Sequence, residues 1–297
     1  MSTPVFLFTV DVEDWFQVEN FKPYIAYETW SERKLRVGDN TRRILDLLDG
    51  ASVAGGSPRA TFFVLGWIAE RLPGLVREIA RRGHEVASHG YHHDLCNAES
   101  PTALRIDLIR SRELLENITG RSVVGYRAPS FSISDEVLKQ IAAAGYRYDA
   151  SFNSFEMNPR YGRVRLNGCP RSGQALRLGN HFWELPVSNL QLAGRTLPMA
   201  GGGYFRFFPG AVFRKGIQAI LKRDGVYSFY VHPWEVDPDQ PRVSAASPLR
   251  RFRHYLNLDR TAPRLAALFR HFRKAEFLTC RSYLERVTLG SLSVDSS

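Results

Sequence analysis

The sequence predicts a parallel α/β fold, a deformed (β/α) barrel that need not close. Two observations carry this expectation. Apolar, β-prone segments alternate with amphipathic helical segments along most of the chain, and repeated β-loop-α units mean parallel strands joined by helical crossovers. Polar residues cluster just after the apolar segments, on the side where a parallel barrel opens its active face. An open doubly wound sheet is the alternative, but no glycine-rich phosphate loop follows the first strand.

The elements follow in order. Residues 5–10 form an apolar first strand, with carboxylates directly behind it. Asp39 is placed to cap the helix that carries Ile44, Leu45, Leu47 and Leu48 and stops at Gly50. Residues 60–66 form a second buried strand, and residues 73–82 an amphipathic helix ending at Gly83. Residues 84–88 are a short third strand. Ser100 and Pro101 open a long helix as N-cap and first residue, and it runs to Gly120. Residues 123–126 are a fourth strand, Ser134 caps a fourth helical stretch, and residues 146–150 are a fifth strand. From about 152 to 208 the rhythm breaks into an irregular insertion with short strands, FWELPVS among them. A helix from Pro209 and an apolar strand at 226–231 then restore it. A Pro-rich loop and a helix from about Pro263 to Arg273 lie in a C-terminal extension spanning about 236–297. With no repeat and no flexible linker, one domain over 1–297 is expected.

The 297 residues are 44% hydrophobic and 24% charged, which excludes a disordered chain. Apolar runs are too short to span a bilayer. The start, MSTPVFLFTVDVEDW, reads as a strand rather than a secretion signal, and the three scattered cysteines suggest neither a disulfide framework nor a zinc knuckle. A cytoplasmic protein is therefore expected. The net charge of +10 suits an anionic partner, and docking at the inner membrane near anionic head groups is one outlet for it. No nucleic-acid motif accompanies the charge, so no nucleic-acid partner is expected.

Four polar sets fall at strand ends: Asp11/Glu13/Asp14, His89/His92/His93, Arg127 and His232. His89 and His93 are four apart, which on a helical turn places two imidazoles on one side and suits a divalent metal. Chance is the competing reading, and three of eight histidines within five positions weigh against it. Three carboxylates behind an apolar strand lose solvation unless they have partners or work. One could complete a metal site and another could act as a general base. Alternation puts Asp11 and Glu13 on one side, with Asp14 turned away or part of the turn. Arg127 could orient the base, backbone N–H groups beyond Pro129 could face an oxyanion, and His232 could be a general acid. Arg127 and His232 taken singly would pass as surface or structural residues.

In this order, the carboxylate-ended strand, the histidine pair, Arg-x-Pro and the strand ending in Val-His resemble the polysaccharide deacetylases, the NodB-homology group of carbohydrate esterase family 4. The wording DVEDWFQ, SHGYHH, YRAPSFSI, HPWEVDPDQP and FRHYLNLDR resembles the subfamily found with exopolysaccharide and PEP-CTERM loci. The resemblance implies a deformed NodB-type barrel and a metal-dependent removal of N- or O-acetyl groups from sugars. It implies Asp11 as base, His89 and His93 as metal ligands, Arg127 as the tether of the base and His232 as general acid. Asp11-Val12-Glu13 resembles the Asp-x-Asp form of the allantoinase-like and peptidoglycan-deacetylase-like branch, which implies Glu13, an unusual glutamate in that place, as the metal carboxylate. Ser130 stands where the family has a tyrosine and keeps its backbone N–H for an oxyanion, and Trp183 is a candidate for the pocket wall. Zn²⁺ or another divalent ion is the implied cofactor, and an N-acetylated carbohydrate, polymeric or lipid-linked, the implied substrate. Two alternatives remain: a metal-independent hydrolase of C–N bonds in a small amide or ureide, as in the allantoinase-like branch, and an inactive carbohydrate-binding module.

Overall fold

The computed structural model describes residues 3–155 and 160–292, so four residues of the expected insertion and the last five of the C-terminal extension lie outside the described residues. The first strand, β1 (Val5–Val12), is buried along its whole length, as a continuous apolar run between parallel neighbours should be. Around it the chain winds through α1 (Val37–Asp49), β2 (Ala60–Val64), α2 (Gly66–Arg71), α3 (Pro73–Arg81), β3 (Glu85–Ser88), α4 (Pro101–Thr119), β4 (Gly125–Tyr126), α5 (Asp135–Ala143) and β5 (Tyr148–Asp149). The second half holds β6 (Arg171–Ser172), β7 (Ala175–Arg177), β8 (Trp183–Glu184), β9 (Asn189–Leu192), β10 (Arg195–Pro198), α6 (Gly202–Phe207), α7 (Gly210–Asp224), β11 (Val226–Val231), α8 (Pro248–Tyr255), α9 (Leu258–His271), β12 (Glu276–Phe277) and α10 (Cys280–Leu292).

One sheet runs β11-β1-β2-β3-β4-β5-β8-β7-β6, parallel from β11 to β8 and antiparallel beyond, while β9 and β10 form a separate hairpin. The sheet curls without closing. Between β8 and β11 the gap is spanned by the 187–201 segment: Ser228 N–H donates to Ser188 Oγ (2.9 Å) and Tyr230 N–H to the Ala200 carbonyl (2.8 Å). This is the incomplete α/β barrel expected from the repeats.

The two faces of β1 explain the layering. Phe6, Phe8, Val10 and Val12 face the helices and join the larger core, while Val5 and Leu7 face the inside of the curl with Phe63, Ala87, Tyr148 and Ala150. Cys280, Tyr283 and Leu284 of α10 plug the bottom of that inner core. Thr9 and Asp11 continue the inward series toward the strand ends, which carries Asp11 to the open face.

Local chemistry sets several element ends as the sequence indicates. Ser100 Oγ accepts the Ala103 N–H and Ser134 Oγ the Val137 N–H, while Gly120 and Gly225 close α4 and α7 in left-handed conformations (φ 65° and 71°). Three expectations are corrected. Asp39 does not cap α1, which starts at Val37 and takes its cap from Asp14. The 152–208 stretch is more than an insertion, because its β8 extends the main parallel sheet beside β5. The helix expected from Pro263 begins five residues earlier, at Leu258.

Candidate active site

Loops after β1, β3, β4 and β11 meet over the inner core and surround a cavity of about 230 Å³. Asp11, Glu13, His89, His93, Ser130 and His232 all line it. Sequence separations of more than two hundred residues are bridged because parallel strands deliver their ends to one face.

β1 delivers both carboxylates. Just past its end the Glu13 N–H donates to the Asp11 carbonyl (3.0 Å), a tight turn that keeps both side chains on the cavity. Asp14 is consumed elsewhere: its Oδ2 accepts the N–H groups of Arg36 (2.7 Å) and Val37 (2.9 Å) and its Oδ1 that of Trp15 (2.8 Å). It satisfies orphan donors at the start of α1, so Glu13 is the carboxylate free to serve a ligand.

The histidines sit on a loop after β3. The expected helical turn is absent: Gly90 and His93 take left-handed backbone conformations (φ 75° and 60°). Asp107 holds the loop by accepting the Tyr91 N–H with both oxygens (3.0 Å each). A side chain at Gly90 would meet Asp107 Oδ1 at 3.0 Å, so glycine is required twice over there, for conformation and for space. His89 and His93 end with ring centroids 5.4 Å apart, while His92 turns outward to the Tyr27 hydroxyl (2.8 Å).

Glu13, His89 and His93 each offer a ligand atom within 4.8 Å of the others, and all three are buried. The donor set fits a divalent ion. His89 Nδ1 is 2.8 Å from the Arg127 carbonyl, which fixes the proton on that nitrogen and leaves Nε2 with its lone pair. Burial, ahead of the neighbouring charges, brings His89 down to about 4, so the ring is neutral at physiological pH, as a ligand must be. Glu13 Oε2 lies 2.7 Å from His93 Nε2, yet it has no hydrogen-bond donor of good geometry, and neither does His93 Nδ1 have a partner. An orphaned buried carboxylate oxygen beside two imidazoles is the arrangement a cation would complete. Burial would raise the Glu13 pKa, but the facing His93 and His232 pull it well below the usual carboxylate range.

Arg127 has no exposed surface and ties the two halves of the site together. Its Nη1 donates to Asp11 Oδ1 and to Thr9 Oγ1 (2.7 Å each), its Nε to the Ala150 carbonyl (2.9 Å), and its guanidinium lies 4.1 Å over the Phe63 ring. Asp11 Oδ1 is thereby occupied, and Oδ2 faces His232 Nε2 at 3.9 Å.

His232 follows β11 and starts a short 3₁₀ turn. Sequence reasoning overlooked what holds it. Glu235, three residues on, accepts the His232 backbone N–H (3.1 Å) and its Nδ1–H (2.8 Å) through Oε1, and Arg206 Nε–H through Oε2 (2.7 Å). Burial works against a charged His232, but Glu13, Glu235 and Asp11 outweigh it and raise its pKa to about 9. Glu235 is lowered to about 2, against its burial, by Arg206 and His232. The signal was present in HPWE: a carboxylate at i+3 of a cap residue reaches back to the cap.

Trp183 is not among the cavity-lining residues. It is half-buried on β8 against the inner core around Tyr148. The tryptophan at the cavity is Trp234, whose Nε1–H donates to Glu13 Oε1 (3.1 Å) and whose ring stacks between His232 (5.1 Å) and His254 (4.2 Å). Ser130 does line the cavity, in a left-handed conformation (φ 53°, ψ 21°). The remaining wall combines Val18, Glu19 and Asn20 from the first half of the chain with Arg160, Tyr161, Tyr204 and Arg253 from the second.

The curled parallel sheet thus brings a carboxylate and two histidines to its strand ends, beside a second carboxylate held by a buried arginine and a further histidine, a donor set compatible with a divalent ion. Residues 25–148 match the polysaccharide deacetylase family model, and residues 150–285 match a domain of unknown function, DUF3473. The chain is similar to the Helicobacter pylori peptidoglycan deacetylase (34% identity over 107 residues, 35% of this chain and 36% of the relative). It is also similar to a Bacillus cereus peptidoglycan-N-acetylglucosamine deacetylase (30% over 107 residues, 36% of this chain and 47% of the relative). The chain therefore spans less than half of these relatives. Among solved structures, a Mycobacterium smegmatis protein assigned to the polysaccharide deacetylases shares the fold over 98% of this chain and 95% of its own (TM-score 0.60, 21% identity). Puue allantoinase shares it over 94% and 88% (TM-score 0.58, 14% identity).

Proposed function

We propose that the protein is a metal-dependent hydrolase that removes N-acetyl groups, or O-acetyl groups, from the sugar units of a polymer or of its lipid-linked precursor. The wording of its motifs favours a role in exopolysaccharide synthesis. One observation carries the reading: Glu13, His89 and His93 converge beside the Arg127–Asp11 pair, with His232 Nε2 3.4 Å from Glu13 Oε1 and 3.9 Å from Asp11 Oδ2.

Glu13, His89 and His93 would hold Zn²⁺ or another divalent ion, which supplies Lewis-acid polarisation of a carbonyl and lowers the pKa of water from about 15.7 toward about 7. Asp11 takes the proton from the attacking water with Oδ2, since Oδ1 is held by Arg127. Arg127 keeps that carboxylate aimed. The oxyanion faces the backbone at Ser130. His232, oriented by Glu235 and protonated at neutral pH, gives its proton to the leaving amine.

The test is acetate release from N-acetylated oligosaccharides together with elemental analysis. Wild type should carry a divalent ion and lose activity to a chelator. His93→Ala should lose both the ion and the activity. Asp11→Asn should keep the ion and lose about 10²–10⁴-fold in kcat. Chelator-resistant cleavage of a small ureide would favour the allantoinase-like reading instead. Carbohydrate binding with no acetate release would favour an inactive binding module.

A further inference from the structure

The cavity mouth is bordered by a strip of arginine and exposed apolar side chains that the chemistry above does not use. Residues 241–256 carry four arginines and no carboxylate. α8 lies in this stretch and buries only His254, while Leu249 and Phe252 are 58% and 55% exposed. Three residues apart, they stand on one face of the helix. Phe207, at the end of α6, is 60% exposed. The two helix ends are fastened together: Arg206 Nη1 donates to the carbonyls of His254 (3.0 Å) and Leu256 (2.6 Å), and Asn257 Nδ2 donates to the Arg206 carbonyl (2.9 Å).

This strip is continuous with the mouth, because Arg253, next to Phe252, and Tyr204 of α6 both line the cavity. The arginines are also available. Neither Arg251 nor Arg253 has a carboxylate partner among the described residues, and Arg242 rests on the Tyr255 ring (4.2 Å) with no acid beside it. Large apolar side chains held out to water and flanked by unpaired cations suit one kind of partner above others. They match an interface whose surface is anionic and whose interior is apolar.

We propose that α8 and the end of α6 form a docking surface for a bilayer carrying anionic head groups, with Leu249, Phe252 and Phe207 entering the head-group region and the arginines pairing with phosphates. The cavity mouth then faces the membrane surface. Resting on the deacetylase reading, this narrows the substrate to sugars presented there, attached to a lipid or emerging as a chain. Three apolar side chains make only a shallow anchor, so binding is reversible and depends on the anionic lipid.

The test uses the full chain and needs no turnover. Co-sedimentation is measured with phosphatidylcholine vesicles, with and without phosphatidylglycerol, at low and high salt. Wild type should sediment with the anionic vesicles only, and high salt should release it. Leu249→Ser/Phe252→Ser should weaken partition about tenfold or more, and Arg251→Gln several-fold. The double variant should keep its circular dichroism, and its hydrolysis of a free N-acetylated oligosaccharide should match wild type. The proposal is overturned if wild type ignores anionic vesicles, or if the double variant sediments as wild type does. It is also overturned if ultracentrifugation without lipid shows a dimer that the double variant abolishes, since a second copy would then cover the face. Vesicle binding without hydrolysis of any acetylated sugar would remove the deacetylase reading and leave the docking surface standing.

Discussion

Two neighbouring carboxylates of one tetrapeptide do unlike work here. Glu13 turns an orphaned oxygen to two histidines, while Asp14 accepts two backbone N–H groups at the head of α1 and that of Trp15 beside it. Their alanine variants should separate cleanly. Asp14→Ala should cost about 1–3 kcal/mol of stability, from lost capping and unpaired buried donors, and keep its metal. Glu13→Ala should lose metal, and with chelator present, where the ion no longer contributes, its stability should fall less than that of Asp14→Ala. Urea denaturation and elemental analysis of the two purified variants decide it, and metal loss in Asp14→Ala alone would reverse the assignment. Glu235 acts through His232. The acid must be protonated, and Glu235 is one of the charges that raise its pKa to about 9. Glu235→Gln should therefore move the alkaline limb of the kcat profile to lower pH, and an unmoved limb would deny Glu235 this role.

At the scale of elements, the strands that bury both faces and the helices with serine caps were legible in the sequence, because each carries its own signal. β8 was not legible as a barrel strand. It has two residues, and its pairing with β5 comes from the surrounding structure, not from a pattern in FWELPVS. α6 and α8 are short and hidden among glycines and prolines, and β12 owes its place to β1 and to the 54–59 loop. A proline normally opens a helix, which points to Pro263, but Asn257 in a left-handed turn (φ 52°) starts α9 first. In the site, residue types at strand ends were readable, whereas Glu235 and Trp234 act through contacts that only folding creates. The start of β2 makes a measurable prediction. His84 Nδ1 accepts the Ala60 N–H (3.3 Å), and burial, helped by Arg59, lowers the His84 pKa from 6.5 to about 4. The neutral ring is the stable form, so this contribution is complete above pH 6.5 and is lost as pH falls through 6.5 toward 4. At most it amounts to about 3 kcal/mol. Urea midpoints at pH 7.5 and 4.5 should fall less for His84→Gln than for wild type, and equal falls would exclude His84 as the cause.

For the whole molecule, the parallel sheet crosses the point near residue 150 where one family match ends and the other begins, through the β5–β8 pairing. The first half supplies Glu13, His89, His93, Asp11 and Arg127, and the second supplies His232, Glu235 and part of the outer wall. An ion bound at the junction of loops from β1 and β3 stabilises the assembled fold by mass action. At a hundredfold excess over Kd this is about 2.7 kcal/mol. The metal-loaded protein should melt about 4 °C above the chelated form. Scanning calorimetry with and without chelator measures this, and coincident transitions would mean that the three ligands bind nothing.

β1 has a consequence for how the chain comes to be folded. Its start is flanked by β11 on one side and by β12 on the other, strands that begin at residues 226 and 276. This strand therefore waits for segments more than two hundred residues further along the chain. Until then a long, flat, apolar strand stands with an unfilled edge, the kind of surface that recruits foreign strands. Loop closures of this length are slow to form, which lengthens the exposure. A chain ending before residue 276 should leave that edge open for good and collect in aggregates. The same chain extended through α10 should recover solubility, because α10 also plugs the inner core beneath the strand.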